Sequence, residues 1–198
     1  MEENKEITQN EQEPRNFKDD LDNSNKKEIL TDWERYIKKI FGEDVLINWK
    51  DNCMVSQIDF GSDCLVTDKK GRKNSIDIKT KRFDYVGNGI YTLEIAHHLY
   101  SDKEKTSKIK TTPGWLYKST SDIILFGTVN KEYTKLVEVC GFSIFPFKEE
   151  MFKEEISTLK NAWASTQYPN GNFQLTLNKL VDLDFLKNNA VKFWYFKE

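Results

Sequence analysis

The chain has 198 residues and a mass of 23.3 kDa, enough for one domain whose core can draw on 13 Phe, 8 Tyr and 5 Trp. Its net charge of −2 hides a split: residues 1–28 carry nine acidic and five basic side chains, leaving a mildly basic body of 25 basic and 23 acidic ones. Three cysteines without CxxC spacing suggest neither a disulfide framework nor a zinc site, and no run approaches the ~20 apolar residues of a membrane span, so a non-membrane, cytoplasmic protein of a reducing compartment is expected.

Residues 1–24 offer only Met1, Ile7, Phe17 and Leu21 as large apolar side chains. That is too little to offset the entropy of ordering, so a disordered acidic arm is expected there, with a single domain over 25–198. From Asn25 to Phe41, Ile29, Leu30, Trp33, Ile37, Ile40 and Phe41 recur at helical spacing, with Ser24 or Thr31 as a cap and Gly42 as the stop. The runs CMVSQIDF, CLVTDKKGRKNSIDIKTKRF and GIYTLEIAHHLY then read as strands separated by turn residues at Gly61-Ser62, Lys70-Gly71 and Gly87-Asn88-Gly89, an antiparallel meander. GWLYKST after Pro113 predicts about two helical turns. DIILFGTV and TKLVEVCGF predict two strands, 147–162 a helix, FQLTLNKL a strand, VDLDFLKNN either state, and KFWYF a late strand. The expected fold class is α/β with α+β character: a central mixed β-sheet, made of an antiparallel meander plus a crossover strand, flanked by helices.

One short stretch departs from an ordinary half-buried strand. In NSIDIKTKRF, Asp77 and Lys79 share one face while Ile76 and Ile78 occupy the other. A hairpin turning at Gly71 brings Asp63, at the start of DCLV, beside the end of that strand. Two carboxylates and an ammonium then converge at one sheet end. Such a set suits phosphodiester hydrolysis, in which Mg²⁺ is held by one or two carboxylates and a lysine orients water or stabilises charge. The bland alternative is a solvated strand face.

Asp63 followed by Asp77-Ile-Lys79 resembles the PD-(D/E)xK nuclease superfamily, and the order of elements over about residues 29–129 is similar to its core. TLEIAHHL and TPGWLYKSTSDIILF are similar to segments that follow the D-x-K strand in some phage and bacterial members. The resemblance implies a restriction-endonuclease-like core and a metal-dependent nuclease using Mg²⁺, with Mn²⁺ as substitute. It assigns Asp63 and Asp77 as metal ligands, Lys79 to water and phosphate, and Glu94 to a further ligand or support. DNA is the implied substrate, and a phage or mobile element the implied origin. No Pro precedes Asp63, and the C-terminal third, residues 130–198, is unplaced. Asp59 competes with Asp63 for the upstream position, and Glu34 on the first helix is a second candidate support.

Seven basic residues against one acid lie between 69 and 82, with a second cluster at Lys103, Lys105, Lys108, Lys110 and Lys118. Lys81, Arg82, Lys108 and Lys110 are the candidate contacts to a nucleic-acid backbone. Trp115 and Tyr117 are candidates for base stacking or for the core. His97 and His98, adjacent on a strand, project to opposite faces and cannot ligate together. The same fold used as a non-catalytic module binding nucleic acid or protein is the alternative function.

Overall fold

The computed structural model describes residues 27–49, 62–168 and 170–198. The expected acidic arm, the strand CMVSQIDF with Asp59, and Ser24 lie outside the described residues. Helix α1 spans Lys27–Phe41 and buries Ile29, Trp33, Tyr36 and Ile37, the stripe its spacing predicts. Thr31 is no cap: it sits inside the helix and donates to the Lys27 carbonyl. The Gly42 N–H closes the helix on the Lys38 carbonyl.

The strands form two sheets rather than one. The first contains β1 (Leu46–Trp49), β2 (Cys64–Thr67), β3 (Lys73–Lys81), β6 (Ile123–Val129), β7 (Leu136–Ser143) and β10 (Phe193–Lys197), in that spatial order. β1, β2 and β3 make an antiparallel meander, and β6 returns parallel beside β3. This is the expected mixed sheet with one crossover strand. The correction concerns GIYTLEIAHHLY, which leaves the meander. As β4 (Ile90–Tyr100) it pairs with β5 (Lys108–Pro113) and β9 (Phe173–Asp182), and β8 (Asn161–Gln167) completes a second, four-stranded antiparallel sheet. The β3-to-β6 crossover therefore carries a hairpin of the second sheet as well as the short helix α2 (Trp115–Lys118).

Every residue of β6 is buried, as befits a strand covered on both sides. Ile123, Leu125 and Val129 join α1, Val66, Ile76 and Val139 in one core. Ile124 and Phe126 join Cys140, Phe142, Tyr91, Leu93 and Val181 in a second core between the sheets. The helix predicted over 147–162 is shorter, a 3-10 turn at Phe145–Lys148 followed by α3 (Glu150–Thr158), because Asn161 already begins β8. The ambiguous VDLDFLKNN divides into the end of β9 and α4 (Leu183–Asn189), whose cap is Asp182 accepting the Phe185 N–H at 2.7 Å. Residues 130–198 thus supply strands to both sheets.

Candidate active site between the sheets

The β2–β3 register sets Cys64 opposite Ile76 and Thr67 opposite Lys73. Asp63 directly precedes Cys64, and its N–H donates to the Ile76 carbonyl at 2.8 Å, which holds it beside the middle of β3. A local turn fixes this register. Asp68 accepts the N–H groups of Lys70 and Arg72, each at 2.9 Å, and Gly71 takes the left-handed φ of 77°. A one-residue slip would carry Asp63 to the other face.

On the parallel side, Asp77 pairs with Ile124 and Lys79 with Phe126, both lining the second core. Asp77 and Lys79 therefore face the second sheet, while Ile76 and Ile78 pack towards α1. The Lys79 Nζ lies 2.9 Å from Asp77 Oδ1. Asp63 Oδ2 accepts the Ile78 N–H at 2.6 Å, and the two carboxyl groups hydrogen-bond to each other. Burial pushes the Asp77 carboxyl up to about 7; the Lys79 ammonium pulls the other way, and the Asp63 charge adds to the rise. Burial also works against the Lys79 charge, but Asp77, Asp63 and Glu94 outweigh it and hold the ammonium above its ordinary value.

Glu94 reaches this cluster from β4 through a break in strand alternation. The β4–β9 register shifts between Glu94 and Ala96, setting Glu94 opposite Asn178 and His97 opposite Thr176. Ile95 is the extra residue of a bulge, which turns Glu94 and His97 onto one face. Glu94 Oε1 accepts His97 Nε2–H at 2.8 Å and the Trp115 N–H at 3.0 Å. His97 Nδ1 faces Gln174 Nε2 at 2.8 Å, and Gln174 Oε1 accepts the Tyr168 O–H at 2.8 Å. Burial raises the Glu94 pKa, but hydrogen bonds from His97 and Trp115, with the Lys79 charge, leave it below the ordinary carboxylate value. Gly114 is required here: a Cβ would lie 2.3 Å from the Glu94 carbonyl oxygen.

The other candidates are spread more widely. Lys81 donates to the Ile90 carbonyl at 3.0 Å and covers the Tyr91 ring at 4.1 Å, inside the inter-sheet contact. Arg82 is exposed and paired with Asp84 at 3.0 Å. Lys108 and Lys110 are exposed on β5, an edge strand, and Ile109 between them is skipped in the pairing with β4. Trp115 and Tyr117 pack against the second core, and the Lys79 Nζ lies 5.7 Å from the Trp115 ring. Glu34 accepts the Trp49 Nε1–H at 2.9 Å, tying α1 to β1 away from the cluster. His98 faces the other way, bonded to Thr111 and in ring contact with Trp163. Sequence reasoning missed the link between His97 and Glu94, since strict alternation puts them on opposite faces. The signal that existed was Gly114 directly before Trp115, a mark of close backbone approach.

Among the described residues no group of three His, Cys, Asp or Glu side chains stands ready to hold a metal ion. The donor set suits a hard cation of the magnesium type, which takes one or two carboxylates and completes its coordination with water and phosphate. Asp63 and Asp77 are the pair that could supply those carboxylates. Comparison with protein-family models, with curated proteins and with solved structures returns no match.

Proposed function

We propose that the chain is a metal-dependent nuclease of the PD-(D/E)xK type, hydrolysing phosphodiester bonds in DNA. The observation that carries this reading is the gathering of Asp63, held on the Ile78 N–H at 2.6 Å, with Asp77 and the Lys79 ammonium, which lies 2.9 Å from Asp77. Asp63 and Asp77 would hold Mg²⁺ or Mn²⁺. Such an ion neutralises phosphate charge and makes water acidic enough to attack near neutral pH.

The chain's own groups divide the remaining work. Lys79 stays charged under the pull of Asp77, Asp63 and Glu94, so it serves as a fixed cation against the developing phosphorane charge rather than as a base. Glu94, anchored by His97 and the Trp115 N–H, would help to orient that ammonium through its charge from the opposite sheet. Trp115 and Phe126 exclude water from the apolar side of the cluster. Cys64 and Cys140 are buried and not joined in a disulfide, which accords with a reducing compartment such as the cytoplasm.

The test is incubation with plasmid, linear duplex, single-stranded DNA and RNA in Mg²⁺ or Mn²⁺. Cleavage of DNA that Asp77→Ala and Lys79→Ala each abolish is the expected result. No cleavage of any substrate, or cleavage unchanged by both substitutions, overturns the reading and leaves the fold as a non-catalytic binding module.

A further inference from the structure

At the end of the first sheet where β3 and β6 begin and β7 ends, with Lys73 four residues before Asp77 on the same strand, lies an open groove of about 460 Å³. Its charged lining is Lys73, Lys148 and Lys192 against the single carboxylate of Asp122. Asp122 is already engaged, accepting the Ser75 N–H at 2.7 Å and the Ser75 hydroxyl at 2.8 Å. Lys148 is half-buried and spends one of its three protons on the Ser119 carbonyl. The charges of both Asp122 and Asp77 act on its ammonium, which links the groove to the candidate active site. Two large apolar side chains of this lining are left open to solvent, Phe145 at 68% and Val191 at 78% exposure.

Cations spaced along a cleft, with an exposed aromatic ring among them, are what a single nucleic-acid strand requires: phosphates on the lysines and a base on the ring. We propose that this groove binds the single-stranded segment flanking the scissile phosphodiester, with its backbone on Lys73, Lys148 and Lys192 and a base against Phe145. The proposal rests on the nuclease reading of the Asp63–Asp77 site. Its volume falls in the range of small-ligand clefts, which suits a nucleotide or two of one strand and not the width of a duplex.

The test is fluorescence anisotropy of a labelled oligothymidylate in EDTA, so that binding is read without cleavage. Each lysine that neutralises a phosphate contributes about 0.7 to the slope of log K against log salt on single strands. The double variant Lys73→Gln/Lys192→Gln is therefore expected to lose about 1.4 from the slope and roughly tenfold in affinity at low salt. Phe145→Ala is expected to weaken binding about fivefold or more through lost stacking. Wild-type affinity and slope in the double variant overturn the proposal, and so does an equal dependence of duplex binding on the same residues. Cleavage by the wild-type protein, measured separately in Mg²⁺, keeps the two readings apart. Loss of oligonucleotide binding in the double variant supports the groove even where no cleavage is seen, and cleavage beside unchanged binding removes the groove alone.

Discussion

Asp77 and Glu138 are both withdrawn from solvent, at 5% and 1% exposure, and both look from the first sheet towards the second. Their partners differ in kind. Glu138 has a donor for each oxygen: the Gly87 N–H reaches Oε2 at 2.6 Å and the Tyr91 O–H reaches Oε1 at 2.8 Å. The Lys81 ammonium lies close enough for the Glu138 charge to act on it. The Gly87 N–H, the Tyr91 O–H and the Lys81 ammonium come from the end of β3, the turn after it and the start of β4, so Glu138 pins the entry of the second sheet onto the first. Asp77 shares its space with another carboxylate and with one lysine whose own side chain remains a third exposed. A buried charge is costly unless hydrogen bonds and counter-charge satisfy it. Glu138 meets that condition with two hydrogen-bond donors, whereas Asp77 has the Lys79 ammonium but also a second carboxyl beside it, and burial pushes it up to about 7. The first arrangement holds the fold together; the second is the one proposed to act on a phosphodiester.

The largest expected effect separates the two in activity. Lys79→Ala and Asp77→Ala should each lower the cleavage rate in Mg²⁺ by about 10²–10⁴-fold, the range for losing a group that acts on the reacting centre. Glu138→Gln should leave the rate per folded molecule within about threefold, since Glu138 lies outside the reacting cluster. Equal losses from the two sites would erase the distinction drawn between them.

Stability should show the reverse order. Glu138→Ala leaves the Gly87 N–H and the Tyr91 O–H without their buried acceptor and removes the negative charge that acts on Lys81, a loss of about 3–5 kcal/mol. Urea denaturation is the measurement, and Asp77→Ala should cost clearly less in the same experiment. A Glu138→Ala variant as stable as the wild type would mean that water readily replaces the lost carboxylate.

The sequence made Asp63, Asp77 and Lys79 legible for a local reason. Strand alternation and a tight turn at Gly71 together determine which side chains meet across β2 and β3, and both features are short-range. The stripe of α1 and the buried run of β6 were legible for the same reason. What was not legible depends on distant pairing. GIYTLEIAHHLY has the same alternation whether it extends the meander or opens a second sheet, and only β9, some eighty residues later in the chain, decides the matter. The bulge at Ile95 is likewise imposed by the partner strand, so the Glu94–His97 contact could not be read from spacing. Lys81 illustrates the same limit. Its charge suggested a phosphate contact, yet the fold places the Ile90 carbonyl and the Tyr91 ring around it.

A smaller effect follows from the proton held by Asp77. Its folded pKa, up at about 7, lies above the ordinary 3.8. Between these values the folded chain holds a proton that the unfolded chain has lost, so stability falls as pH rises through that window and is level on either side. The whole change is on the order of 2–4 kcal/mol. Asp77→Asn removes the titrating group, so it should match the wild type near about pH 4 and exceed it by up to a few kcal/mol near about pH 8. Millimolar Mg²⁺ at the higher pH should raise the wild-type melting temperature and leave that of Asp77→Asn unchanged. A difference between the two proteins that is constant with pH would show that Asp77 is ionised throughout.

The smallest effect concerns His97, which touches neither Asp77 nor Lys79 and acts only through Glu94. His97→Ala removes one of two donors to Glu94 Oε1 and leaves the Trp115 N–H in place at 3.0 Å. Gln174 then loses its acceptor at Nδ1, but the site is half-buried and water can enter. The stability cost should therefore stay near about 1 kcal/mol, the net value of an ordinary hydrogen bond. Tyr91→Phe, which strips a donor from the fully enclosed Glu138, should cost more, about 1–3 kcal/mol, because no water replaces it there. In activity the order inverts. A loosened Glu94 orients Lys79 less well, so His97→Ala should lower kcat by about tenfold with KM little changed, as for a group felt mainly in the transition state. Tyr91→Phe should leave kcat alone. A His97→Ala variant with wild-type kcat would confine the Glu94–His97 pair to holding β4 against α2, and Lys79 would then owe its position to Asp77 and Asp63.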